Sequence, residues 1–155
     1  MQIKKAARTV IVDEKGLIAL INVGDGKYFK IPGGGVEENE TIKEAAKREA
    51  LEEAGCEVDL IQRVGEHQFI ENSSELGERA HHSVCFLAKK KGISKETRFD
   101  DWEKSNNMKL IWVTFSKALE LFSSASATDS WGYEINKRDM DFVLKAKEIY
   151  ELVPE

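Results

Sequence analysis

The chain has 155 residues, of which 41% are hydrophobic and 33% charged, with a formal net charge of −5. That length and apolar content suit one globular domain over residues 1–155, and the acidic balance argues against a binder of nucleic-acid backbones. No apolar run reaches the roughly 18 residues of a membrane helix, and the opening MQIKKAARTVIVDEKG lacks a signal-peptide pattern. Cys56 and Cys85 have no CxxC spacing, and they read as two free, buried thiols in a reducing compartment. A cytoplasmic protein with no nucleic-acid or membrane partner is therefore expected.

In chain order, KAARTVIVD (Lys5 to Asp13) and LIALINV (Leu17 to Val23) read as two strands of a hairpin about DEKG. After the turn GDGK, YFKIP (Tyr28 to Pro32) is short and extended, because a proline biases the residue before it toward β. Three glycines, Gly33 to Gly35, follow as a strand-to-helix turn. A helix is expected over Ile42 to Ala54. Thr41 is its N-cap, Glu44 completes a capping box, and Gly55 is the residue at which it stops. Cys56 to Asn72 is extended with an interruption near Gly65, Ser73 to Glu78 is a loop, and Ala80 to Lys90 is a strand. Lys91 to Asn107 reads as a long polar loop of the kind that carries function. Met108 to Phe115 is a strand, and Ser116 caps a short helix to Phe122. Ser123 to Tyr133 is a connection. Asn136 to Val153 is a helix with Met140, Val143, Leu144, Ile149 and Tyr150 as its apolar positions. Strands mixed with a few helices give an α/β domain with a mixed β-sheet covered by helices.

The chemistry concentrates in GGVEENETIKEAAKREALEEAGC (Gly34 to Cys56). At about 100° per residue, Ile42, Ala45, Ala46 and Ala50 mark the inward face of the helix. Glu53 falls between Ile42 and Ala46, and Glu49 and Glu52 share the same edge, while Lys43, Glu44 and Lys47 face out. Carboxylates at these spacings repel one another, and on an inward-leaning face little water screens them. Protonation relieves the repulsion, and so does a hard divalent cation held by oxygen ligands, Mg²⁺ or Mn²⁺. The competing reading is a solvated acidic edge paired to nearby lysines and arginines. The preceding IPGGG lets backbone approach an anion closely at the N-terminal side of a helix.

Gly34, Glu40, Arg48-Glu49, Glu52-Glu53 and Gly55, at their spacing, resemble the signature of the Nudix hydrolase family. Ala50 and Cys56 fill two slots that are usually larger and aliphatic. The resemblance implies an α/β/α sandwich whose signature forms a loop, a helix and a loop. It also implies Mg²⁺-dependent hydrolysis of a nucleoside diphosphate-linked compound, and a homodimer is compatible with it. Glu49, Glu52 and Glu53 would bind the metal with help from the Gly33 backbone carbonyl, and Glu40 with Arg48 would brace the loop and orient Glu49. Glu53, then Glu52, is the first choice for a ligand that also takes a proton. A base from a later loop is the alternative, with Asp100, Asp101 and Glu103 as candidates.

The substrate is less sharply indicated. Glu71 stands where the ADP-ribose branch of the family has a proline, and Ser73 and Ser74 stand where the dinucleoside-polyphosphate branch has a tyrosine. By elimination, a nucleoside triphosphate or a modified one is expected, cleaved to a monophosphate and pyrophosphate. The alternatives are ADP-ribose or dinucleoside polyphosphate hydrolysis, a non-nucleotide diphosphate, or a nucleotide-sensing module without turnover. Arg8, Lys30, Phe29 and Gly34 are the expected substrate contacts, with Phe69, Trp102 and Trp131 as further stacking candidates. His81 and His82, adjacent on a strand, should point to opposite faces.

Overall fold

The structure, a computed structural model, describes residues 2–73, 75, 77–125 and 129–152. Its strands are β1 (Gln2–Val12), β2 (Ile18–Val23), β3 (Tyr28–Lys30), β4 (Gly33–Gly35), β5 (Glu57–Ser73), β6 (Gly77–Lys91) and β7 (Met108–Val113). Its helices are α1 (Ile42–Ala54), α2 (Asp101–Ser105), α3 (Phe115–Ser124) and α4 (Ser130–Leu152). The sheet order is β3-β2-β1-β6-β5, with β4 also on β1 and β7 also on β2. The β1–β6 pair is parallel and the others are antiparallel, so the sheet is mixed as expected.

The expected hairpin is only a corner. β1 and β2 pair at Val12 and Ile18 alone and then diverge. β2 lies between β3 and β7, while β1 lies between β4 and β6. The sheet thus splits into two halves, and Ile31-Pro32 carries the chain from one to the other. The three glycines are not a turn but a strand, with Gly33, Gly34 and Gly35 opposite Arg8, Ala7 and Ala6.

Helices cover both faces, which gives the expected α/β/α sandwich. On one side Ala45, Ala46, Ala50 and Ala54 of α1 are buried against Ala7, Ile11, Val84, Phe86 and Ala88. Small residues let the helix approach the sheet closely, and the slots at Ala50 and Cys56 belong to this contact. On the other side Val10, Leu20, Phe29, Ile31, Cys85 and Leu87 meet Phe115, Phe122, Phe142, Val143 and Ala146 of α3 and α4. Cys56 and Cys85 are free and buried, as expected. Among the described residues no helix is long and apolar enough to cross a membrane.

Several expected boundaries move. The α3 cap is Thr114, whose hydroxyl accepts the Lys117 amide proton, so the helix begins at Phe115 rather than after Ser116. The polar loop contains α2, capped by Asp100 in a second capping box with Glu103. α4 starts at Ser130, six residues early, because Asp129 accepts from the Gly132 amide. Its buried face is Ile135, Arg138, Asp139, Phe142, Val143 and Ala146, while Leu144 and Tyr150 are exposed. Of the expected Ser73–Glu78 loop, residues 74 and 76 lie outside the described residues, as do 126–128 of the later connection and Val153.

Phe142 is 2% exposed and Leu144 is 41% exposed. Phe142→Ala should therefore cost about 3–5 kcal/mol, and Leu144→Ala should stay within about 0.5 kcal/mol. Urea unfolding of the two variants beside the parent chain measures both, and comparable losses would contradict this placement of the helix face.

Candidate active site

α1 is fixed at both ends. Thr41 Oγ1 accepts from the Glu44 amide at 3.1 Å and Glu44 Oε1 accepts from the Thr41 amide at 3.0 Å, so the capping box is complete. At the other end Gly55 turns left-handed, with φ 64°, and its amide donates back to Leu51. This fixes the rotation of the helix. Glu53 (2% exposed) and Glu49 (9% exposed) therefore point inward, while Glu52 sits half-buried on the shoulder.

Glu53 reaches the seam of the split sheet. Its Oε1 accepts from the Gly33 amide at 2.9 Å and its Oε2 lies 3.5 Å from the Lys30 ammonium. Gly33 has to be glycine, since a Cβ there would sit 2.6 Å from both the Ala7 carbonyl oxygen and Arg8 Cγ. Gly34 lies against the Glu49 carboxyl, where a Cβ would come within 2.7 Å of Cδ, whereas a Cβ on Gly35 would meet open space.

Arg48 organises the acids. It holds Glu40 in a fork, Nε to Oε2 at 2.7 Å and Nη2 to Oε1 at 3.0 Å, and Nη2 also donates to the Gly35 carbonyl at 2.9 Å. Its Nη1 donates to Glu49 at 2.9 Å and to Glu52 at 3.3 Å. A bidentate charged fork is among the stronger polar contacts a protein makes. It keeps the Glu40 carboxyl below the usual range and raises the Arg48 guanidinium. The loop before the helix is thus tied to the carboxylates, in the arrangement expected for Glu40 and Arg48. Glu49 is only partly relieved: burial, with the charge of Glu53 second, pushes it up to about 7.

A second strap closes the site. The Lys95 amide donates to the Gly55 carbonyl at 2.5 Å and the Arg98 amide to the Glu52 carbonyl at 2.6 Å. Helix C-termini leave such carbonyls without intrahelical partners, and here they anchor the loop that leads into α2. Glu103 of α2 arrives beside Glu53. Burial, followed by its hydrogen bond to Glu53, pushes it up to about 8. Of the three later-loop candidates, Asp100 is spent on capping α2 and Asp101 is exposed, which leaves Glu103 at the acids.

The cleft over this site has a volume of about 690 Å³ and is lined by Arg8, Lys30, Gly33, Gly34 and the three α1 glutamates. Arg8 Nε donates to Ser83 Oγ at 3.1 Å, and burial brings its guanidinium down to about 10. Phe29 is a correction: it is packed in the α3/α4 core, not in the cleft, because β3 turns its ring away from the seam. Trp102 and Trp131 do line the cleft, and Phe69 lies beside Trp131 in an adjoining hollow. His81 stacks on Phe69 and His82 bonds Glu66, on opposite faces of β6.

The sequence reading missed Arg138 and Asp139, which are 3% and 0% exposed. Asp139 Oδ2 accepts from the Ile31 amide at 3.0 Å, and Arg138 Nε donates to Asp139 Oδ1 at 2.8 Å. This pair clamps the crossover segment between Lys30 and Gly33. An adjacent Arg-Asp in an apolar helix repeat was the available signal, since such residues are rarely buried unless paired.

Among the described residues, no three acids, histidines or cysteines converge closely enough to enclose an ion as they stand. The donor set nevertheless fits a divalent cation. Two buried carboxylates one helical turn apart, one pushed to about 7, are left with a single ammonium and a shared arginine. Oxygen-only donors at such spacing suit a hard ion.

Fold and cleft together define a class: an α/β/α sandwich that presents buried carboxylates from one capped helix to a glycine strand. The family model for the NUDIX domain matches residues 3–131. The chain belongs to the Nudix family. It is 31% identical over 103 residues to Nudix hydrolase 16, mitochondrial, of Arabidopsis thaliana, covering 66% of this chain and 56% of that one. It is 34% identical over 64 residues to a putative 8-oxo-dGTP diphosphatase of Bacillus subtilis, covering 41% and 43%. The chain thus spans about half the length of these curated relatives. A solved NUDIX hydrolase from Nitrosomonas europaea has the same fold, with a TM-score of 0.64 at 15% identity over 99% of this chain and 93% of that one.

The Glu49 shift carries a sign that can be measured without metal. Its folded-state value of about 7 lies above the ordinary 4.5. Its ionisation therefore removes stability as pH rises through that interval. In EDTA, Glu49→Gln should gain on the parent chain between pH 5 and pH 8 by on the order of 2 kcal/mol, after allowing for screening at the cleft. A stability difference that is flat across this range would contradict the burial of the charge.

Proposed function

We propose that the protein is a Mg²⁺-dependent pyrophosphohydrolase that cleaves a nucleoside triphosphate, or a modified one, to a nucleoside monophosphate and pyrophosphate. The observation that carries the proposal is the burial of Glu49 and Glu53 against the glycine strand, with Glu103 brought onto Glu53 by a separate loop. A buried acidic cluster of this kind is costly unless it has a charged ligand to neutralise it. The match to a putative 8-oxo-dGTP diphosphatase supports a nucleoside triphosphate over other diphosphates.

Glu49, Glu52 and Glu53, with the Gly33 carbonyl, are the groups that would hold Mg²⁺. When bound, it would neutralise phosphate oxygens and acidify water. The chain's own residues supply the rest. The amide of Gly35 and the cations Arg8 and Lys30 receive the phosphate chain. Arg48 holds Glu49 in place, and Glu40 ties the preceding loop to Arg48. Water adds across one P–O–P linkage: its oxygen bonds to phosphorus, the bridging oxygen leaves with the departing phosphate, and a carboxylate takes the proton. Glu103 suits that last role, because it lies against Glu53 and a cation held there would favour its ionised form, leaving a carboxylate free to take the proton. Glu53 remains the ligand.

These roles separate by variant. Glu53→Gln should lower kcat by a factor of about 10²–10⁴ and also weaken the Mg²⁺-induced rise in Tm, which measures binding to the native state. Glu103→Gln should lower kcat over a similar range and leave that rise intact. Full turnover in Glu103→Gln would return the proton acceptor to α1. The reaction itself is tested by phosphate and pyrophosphate release over nucleoside triphosphates, modified nucleotides, ADP-ribose and dinucleoside polyphosphates, with and without Mg²⁺. Metal-dependent release of pyrophosphate from a triphosphate is expected, and silence across the panel from folded protein would overturn the proposal.

Gly34→Ala should push the Glu49 carboxyl aside and reduce the Mg²⁺-induced shift in Tm, while Gly35→Ala, with open space for its methyl, should keep it. Equal behaviour of the two would show that the close approach at Gly34 is not what seats Glu49.

A further inference from the structure

The end of the cleft away from the carboxylates carries chemistry that hydrolysis does not use. In the antiparallel β5–β6 pair Phe69 faces His81, and the next pair on the same face is Glu71 with Arg79. The Phe69 and His81 rings are stacked, with centroids 4.9 Å apart and planes at 17°. Trp131, from the first turn of α4, packs across both at steep angles, at 5.6 Å and 64° from Phe69 and at 5.1 Å and 72° from His81. Two rings thus hold the indole in place, while 37% of the residue stays exposed. A large aromatic braced by two others and partly open to a cleft makes a stacking surface for a planar ring. Trp131, Glu71 and Arg79 line both the main cleft and the adjoining hollow of about 730 Å³, so the polar pair borders the space beside the indole.

Arg79 Nη2 donates to Glu71 Oε1 at 2.8 Å. The contact holds the Glu71 carboxyl below its ordinary range, so it is ionised at neutral pH and accepts hydrogen bonds only. His81 Nε2 also lies 3.6 Å from Oε1; among the described residues the other oxygen, Oε2, has no hydrogen bond, and a guanidinium carries more donors than this one bond uses. The pair therefore offers a ligand an acceptor and a donor side by side.

Resting on the nucleotide reading above, we infer that Trp131 stacks the base and that Glu71 with Arg79 selects a purine with a lactam edge, as in guanine. Guanine presents two adjacent donors, N1–H and the exocyclic amine, next to the O6 acceptor. The carboxylate takes the donors and the guanidinium takes O6, an oxygen that arginine reads well. Adenine places the bare N1 lone pair against the carboxylate. Thymine offers one donor between two acceptors, and cytosine one donor beside two acceptors. Oxidation at C8 leaves the lactam edge untouched, so the same pair accepts the oxidised base. An ion pair that merely joined two strands would do nothing to base preference.

Steady-state kcat/KM for dGTP, dATP, dCTP and dTTP tests this on the full chain with Mg²⁺. The parent chain should prefer dGTP. Glu71→Gln, which keeps the shape but replaces an oxygen acceptor with an amide donor, should reduce the ratio of dGTP to dATP by about 10- to 100-fold. Trp131→Leu should weaken all four, chiefly through KM. Arg79→Lys keeps a positive charge beside Glu71 but loses the planar guanidinium that would meet O6, and it should also lower the dGTP preference. A parent chain that cleaves all four bases equally, or a Glu71→Gln ratio that stays the same in a variant of unchanged Tm, overturns the base reading alone. No turnover of these four or of any modified nucleoside triphosphate, 8-oxo-dGTP among them, rejects the nucleotide reading on which it stands.

Discussion

The hydrogen bond from the Gly33 amide to the Glu53 carboxylate sets the rest of the arrangement. It joins the helix on one face of the sheet to the seam at which the sheet divides. A buried carboxylate needs donors, and here it takes one from the strand that follows the crossover and an ammonium from the strand that precedes it. The bond can form only because residue 33 has no side chain and because α1 is held at one rotation by its two caps. A shift of one residue in the helix, or a Cβ at residue 33, would remove it. The opposite layer contributes too. Asp139 holds the Ile31 amide from α4, so the crossover is gripped from both faces at neighbouring residues.

Around that bond the acids are balanced unevenly. Arg48 shares itself among Glu40, Glu49 and Glu52, and its tightest fork goes to Glu40, which is not an inward residue. Glu49 is left with one contact against burial and a like-charged neighbour, and Glu103 gains a second acid as its partner. Burial acts in the same direction at Glu49 and Glu103, and it disfavours the charged form. A protein could relieve this by moving the acids apart. This one instead ties them in place with caps, a fork and a strap, so the cluster costs stability and keeps its geometry.

Much of this was legible because it depends on local rules. The capping box, the glycine stop and the helical spacing gave α1 its bounds and put Glu49 and Glu53 inward. The strap, the crossover clamp and the position of Phe29 were not legible, because each depends on a partner distant in sequence. Phe29 has the composition of a stacking residue, and only the pairing of β3 with β2 shows that its ring faces the core. Gly33 to Gly35 look like a turn until β1 supplies an edge for them. Arg138 and Asp139 are the part of the α4 face that reaches the site, and the Ile31 amide that Asp139 holds lies 108 residues away in sequence. α4 began early because Asp129 and Trp131 belong to a helix end that a Ser/Ala-rich stretch concealed.

The net charge of −5 says little about the cleft, since charges of both signs line it. The carboxylates gather at the α1 end, and Arg8, Lys30, Arg79 and Arg138 lie along the floor and the far wall. A ligand that is anionic in the middle, needs a cation at one end and presents a polar ring at the other would meet a matching group along its whole length. Each of these groups comes from a different element: the acids from α1, the cations from β1, β3 and α4, and the ring-facing pair from β5 and β6. The split in the sheet brings them together. An unbroken sheet would carry hydrogen bonds where β1 and β2 diverge, and it would leave no seam for Glu53 to reach and no opening for a phosphate chain.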